Sequence, residues 1–150
     1  MPRAHFWRSV KTTKLVKTIV LGSYAILAYF EKEEGWETVA QLLSDAAAEQ
    51  CRLCGCVVNW GEVLYITERV YGPEKAEEVE AILADLPVEW VDADQSLTRE
   101  AARFKVDGGL AYADCFAAAL AGLEDGEVVT DDPEFERVTD RVDVRWLTSD

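Results

Sequence analysis

Thr18-Ile19-Val20-Leu21-Gly22-Ser23-Tyr24-Ala25-Ile26-Leu27-Ala28-Tyr29-Phe30 is the stretch that decides the fold. Thr18 to Leu21 form a short apolar run that reads as a β-strand, and Gly22-Ser23 ends it. The apolar residues Ala25, Ile26, Leu27, Tyr29 and Phe30 then continue as a helix, which runs out in the charged segment Glu31 to Glu34. A strand feeding directly into a helix is the first half of a β-α-β crossover, the unit from which parallel sheets are built.

The same alternation continues outward. Trp36, Val39, Ala40, Leu43 and Ala47 recur at helical spacing, so residues 36 to 50 read as an amphipathic helix. Cys56-Val57-Val58 reads as a second strand. Helical spacing resumes at Val63, Leu64, Ile66 and Val70 and breaks at Gly72-Pro73. A helix from Glu74 to about Leu86 leads to the strand Val88 to Val91, and Asp94 can cap a helix carrying Leu97, Ala101 and Phe104. Asp107-Gly108-Gly109 reads as a loop, followed by an alanine-rich helix and the strand Glu127 to Thr130. A short helix over Pro133 to Val138 and a strand over Val144 to Leu147 complete the pattern. The expected fold class is α/β, with a mainly parallel central sheet covered by helices on both faces. Residues 17–150 form one domain, and residues 1–16 read as a basic arm or extension.

Composition fits that reading. The chain of 150 residues is 49% hydrophobic and 29% charged, ordinary for a globular domain. No apolar run approaches the roughly 20 residues that span a bilayer, and no secretory signal is visible, so a cytoplasmic protein without membrane contact is expected. Residues 1 to 18 carry Arg3, Arg8, Lys11, Lys14 and Lys17 without an acid. The remaining 132 residues hold ten basic and 29 acidic groups, a sum of −19. Such a body repels polyanions at long range and attracts divalent cations or a basic partner protein. The motif Cys51-x-x-Cys54-x-Cys56 lacks the fourth ligand of a closed zinc site, because the only histidine is His5. Buried reduced thiols are the better reading of these cysteines and of Cys115.

Three acids stand out against apolar surroundings: Glu62 in Val58-Asn59-Trp60-Gly61-Glu62-Val63-Leu64-Tyr65, Asp114 in Leu110 to Ala121, and Asp132 after Val128-Val129-Thr130. A carboxylate on a packed face is costly unless a cation or hydrogen-bond donors compensate it. The helical neighbours of Asp114 are Leu110, Ala111, Ala117 and Ala118, none of them basic. Each acid also has a plainer reading. Asp114 and Glu62 can be exposed residues in a first helical turn, where the dipole favours an acid. Asp132, followed by Pro133, can be a helix cap, and Asp131 an exposed loop acid.

Taken in order, four segments resemble the PIN-domain nucleases, especially the VapC-type toxins of prokaryotic toxin–antitoxin pairs. They are Thr18 to Phe30, Asn59 to Val63, Tyr112-Ala113-Asp114, and Thr130-Asp131-Asp132-Pro133-Glu134-Phe135; the resemblance covers residues 17 to 148. It implies a three-layer α/β/α sandwich and a metal-dependent endoribonuclease that hydrolyses RNA using Mg2+ or Mn2+. It also implies Glu62, Asp114 and Asp132 as metal ligands and catalytic residues, Ser23 and Thr130 as polar neighbours, a cognate antitoxin partner and a homodimer. The family normally has an aspartate where this chain has Gly22, so the resemblance implies an impaired site. Val16-Lys17-Thr18 resembles a start, which makes residues 1 to 15 an upstream extension. Arg52, Arg69, Arg99, Arg103, Lys105 and Arg137 are candidates for RNA backbone contacts.

Two other readings compete. One is a non-catalytic PIN-fold protein that binds an antitoxin-like partner or RNA. The other, a phosphoacceptor domain of flavodoxin-like topology, requires paired acids after the first strand and a late lysine; Gly22-Ser23 and Val128 to Asp131 do not match it.

Overall fold

The computed structural model describes residues 16–148; the arm expected over 1–16 therefore lies almost wholly outside the described residues. Strands β1 (Thr18–Leu21), β2 (Arg52–Cys56), β3 (Val88–Val91), β4 (Glu127–Thr130) and β5 (Asp143–Trp146) form one sheet in the order β3-β2-β1-β4-β5. Every pairing is parallel, with Val20 opposite Cys54 on one side and Val128 on the other. The helices are α1 (Ser23–Glu31), α2 (Trp36–Ala47), α3 (Val57–Tyr71), α4 (Pro73–Asp85), α5 (Gln95–Gly108) and α6 (Tyr112–Leu123), with a 3-10 helix at Pro133–Val138. No single helix among the described residues is long and apolar enough to cross a membrane.

Strand side chains alternate between two apolar layers, as the pleat requires. Val20, Cys54, Cys56 and Val128 pack with Leu97, Ala101 and Phe104 of α5 and the buried face of α6. Ile19, Leu21, Leu53 and Val129 pack on the opposite side with α1, α2 and residues of α3 and α4, including Val63, Val79 and Leu83. The result is the expected α/β/α sandwich. The small residues Ala117 to Ala119 and Ala121 are nearly fully buried, so α6 lies close against the sheet. The turn into β4 is equally tight: a Cβ on Gly126 would lie 2.3 Å from the Thr18 carbonyl oxygen.

Two sequence expectations need correction. The second strand is Arg52–Cys56, not Cys56 to Val58; Val57 and Val58 already belong to α3. Cys56 caps that helix, its sulfur accepting from the Val58 N–H, and this local bond overrides the strand preference of two valines. Cys54 and Cys56 consequently lie within β2, and Cys51 directly precedes it. Asp107 and Gly108 are the last turn of α5 and not a loop; only Gly109, at φ 69°, adopts the left-handed terminating conformation. The four cysteines form no disulfide, and Cys54, Cys56 and Cys115 are buried.

Candidate functional site

β1 lies at the centre of the sheet. The chain moves from it to β2 and β3 on one side, then returns to β4 and β5 on the other. The order thus reverses between β1 and β4, and the crevice beyond the carboxyl ends of those strands is where open α/β sheets accept ligands. Gly22-Ser23 follows β1 there, and Asp131-Asp132 follows β4. α6 contacts β1, β2 and β4, which brings its first turn, with Asp114, over the same crevice.

Asp114, Asp132 and Glu134 converge, each half-buried, with one carboxylate oxygen apiece lying within 4.8 Å of the others. Two of these are expected from sequence; Glu134 is not. Its signal lies in Asp132-Pro133-Glu134: the Asp132 Oδ1 accepts from the Glu134 N–H at 3.0 Å and caps the 3-10 helix, which turns both carboxylates to one mouth. Capping and clustering are therefore compatible, and the Asp132 carboxylate is fixed further by its own N–H donating to Thr130 Oγ1 at 3.0 Å. Glu62 stands outside this tight group. It is near enough to raise Asp114 electrostatically, while its Oε2 lies 3.5 Å from the Tyr65 hydroxyl. Asp131 is occupied elsewhere: its Oδ1 accepts from the Leu147 N–H at 2.8 Å and its Oδ2 from the Thr148 hydroxyl at 2.7 Å, tying the end of β4 to the end of β5.

Electrostatics mark the same place. The Asp114 carboxyl is raised to about 7, first by burial and then by the charges of Asp132, Glu62 and Glu134. Asp114 also shares a hydrogen bond with Asp132. Burial and the nearby Asp131 likewise push the Tyr24 hydroxyl up. The basic residues expected to contact a polyanion are partly committed: Arg52 pairs with Glu89 and Glu124 at the opposite end of the sheet, and Lys105 donates to the Leu110 carbonyl at 2.7 Å.

Three crowded carboxylates match the donor set of a hard divalent cation, which takes oxygen ligands and relieves their mutual repulsion. Gly22 is buried beside them. A Cβ placed on it would meet only the Ala117 Cβ, at 3.5 Å, one helical turn beyond Asp114. A Cβ at position 22 is therefore tolerated at ordinary van der Waals distance.

The PIN-domain family model matches residues 19–141. Among solved structures, the chain is similar to the DNA-bound VapBC of Salmonella typhimurium (20% identity, 89% of this chain and 99% of that one, TM-score 0.68). It is also similar to VapBC2 of Rickettsia felis bound to a promoter DNA fragment (16%, 86% and 98%, TM-score 0.67). A third is VapC20 of Mycobacterium tuberculosis, a Sarcin-Ricin loop cleaving toxin (16%, 79% and 92%, TM-score 0.63). No curated protein matches the chain.

Proposed function

The chain belongs to the PIN-domain family, and from that premise we propose that it is a VapC-type toxin, a metal-dependent endoribonuclease acting in the cytoplasm, with a site weakened at Gly22. The observation that supports this best is the meeting of Asp114, Asp132 and Glu134 at the reversal point of the sheet. These three carboxylates, with Glu62 approaching from α3, would hold Mg2+ or Mn2+. When bound, such an ion activates water and neutralises charge on a phosphodiester.

The protein's own groups supply position. Asp132 is held by the Thr130 hydroxyl at its backbone and by the Glu134 N–H at its carboxylate. Asp114 sits in the first turn of α6, where the helix dipole favours its ionised form against the burial that opposes it. Ser23, 4% exposed, begins α1 directly after position 22. A histidine or nucleophilic side chain is not required. RNA as substrate is in keeping with the Sarcin-Ricin loop cleaved by VapC20, and a protein antitoxin as partner with the VapBC complexes; a homodimeric toxin rests on the family resemblance alone.

The test compares this chain with Gly22→Asp on a panel of single-stranded and hairpin RNAs, with and without Mn2+. The expected result is negligible turnover for the parent and Mn2+-dependent cleavage for the variant. Negligible turnover by both, or equal cleavage with chelator present, overturns the reading. A non-catalytic protein that binds antitoxin or RNA is the second reading. It is favoured by one observation, the absence of a donor at position 22, and predicts RNA retention without cleavage by both forms.

A further inference from the structure

One polar group of this region is used by neither the acids nor the caps. Asn59 is completely buried in the first turn of α3, three residues before Glu62. Its Nδ2 donates to Ser23 Oγ at 3.0 Å and to the Ala113 carbonyl oxygen at 3.1 Å. Ser23 is the first residue of α1, directly after Gly22, and Ala113 directly precedes Asp114. The Ala113 carbonyl can only accept, so the nitrogen must face it; the reversed amide would set oxygen against oxygen. In this orientation Oδ1 is buried with no hydrogen-bond partner among the described residues.

A buried acceptor left unpaired is costly, and leucine would fill similar space without that cost. What the amide provides is a link between three segments that are distant in sequence. One is the turn that carries position 22, one is the helix that carries Glu62, and one is the residue before Asp114.

We propose that Asn59 is a positioning residue of the acidic site, whose amide clamps the starts of α1 and α6 and so sets the Asp114 carboxylate relative to position 22. This rests on the metal-site reading above and extends it to a residue that touches no ion. Partners that orient metal ligands from behind change affinity by about 10–100-fold when removed.

The test is calorimetric titration with Mn2+ of the full-length Gly22→Asp protein, alongside thermal unfolding. Asn59→Leu on that background should lower Mn2+ affinity by about 10–100-fold at a temperature where it remains folded. Asn59→Thr, which keeps a donor hydroxyl, should recover most of the loss. Thr67→Val serves as control: it removes a buried hydroxyl of the same helix, donated to the Val63 carbonyl at 2.7 Å, and should lower stability without changing Mn2+ affinity. If Asn59→Leu does not fold, Ser23→Ala takes away one acceptor of the same amide and should weaken binding in the same direction. Unchanged Mn2+ affinity in the folded variant overturns the positioning role while leaving the metal site standing. Failure of Gly22→Asp itself to bind Mn2+ overturns the metal-site reading, and the clamp with it.

Discussion

The two ends of the central sheet treat charge in opposite ways. At the amino end every prominent acid is matched. Glu127, only 8% exposed, is paired with both Lys17 at 2.8 Å and Arg145. Arg52 joins Glu124 at 2.8 Å and Glu89 at 2.7 Å. At the carboxyl end Asp114, Asp132 and Glu134 crowd together, and the strongest influences on Asp114 all raise it. Both ends contain half-buried carboxylates from several segments. What separates them is that one has been neutralised by arginine and lysine, whereas the other is paired with no basic side chain among the described residues. The first arrangement favours stability; the second costs stability, as a site proposed to bind a cation would.

The contrast can be broken at the carboxyl end by removing a ligand. Glu134→Gln on the Gly22→Asp background should lower Mn2+ affinity by at least the roughly 10–100-fold seen when supporting groups are lost. Glu62→Gln, outside the tight cluster, should lose less; the reverse ranking in calorimetric titration would return the site to the three acids expected from sequence.

A smaller effect lies in the pH dependence of folding. Because the folded protein holds the Asp114 proton up to about pH 7 and the unfolded chain releases it near 3.8, the native state binds more protons between those values. Stability therefore falls as pH rises through that window and is flat with respect to this group above and below it. Asp114→Asn should abolish this decline and raise stability at pH 8 by roughly 1–2 kcal/mol, after allowance for solvent screening. Urea unfolding at pH 5 and pH 8 measures both quantities. A variant that is less stable than the parent at pH 8 would show that Asp114 is compensated after all.

At the amino end the sign reverses. Arg52→Met leaves Glu124 and Glu89 without their shared cation and should cost about 1 kcal/mol, between the values for surface and buried pairs. Lys75→Ala, which breaks the exposed i,i+3 pair with Glu78, should change the urea midpoint least, by less than about 0.5 kcal/mol.

Much of this was legible in the residues alone. The run Thr18–Leu21 turning into α1, the Asp94 cap and the alanine-rich α6 stand where periodicity places them, because short elements flanked by glycine, proline and caps have few alternatives. Asp114 was visible because its helical neighbours offer no base. Glu134 was not, since a glutamate after Asp-Pro satisfies the rules of a helix start and asks for no other explanation. β2 was misplaced for a different reason. Gly55 is a poor strand former on its own, yet it lies opposite Trp90 across the β2–β3 pairing, where a Cβ would come within 2.6 Å of the indole. Asn59 reads as an ordinary turn-favouring residue until α1 and α6 are brought against it.

The reversal of strand order between β1 and β4 carries a consequence for the newly made polypeptide. Position 22 precedes Asp132 and Glu134 by more than a hundred residues in the chain, and those acids reach the crevice only once β4 docks beside β1. A nascent product that stops short of β4 therefore carries Asp114 alone of the three clustered acids, and its crevice is open on one side.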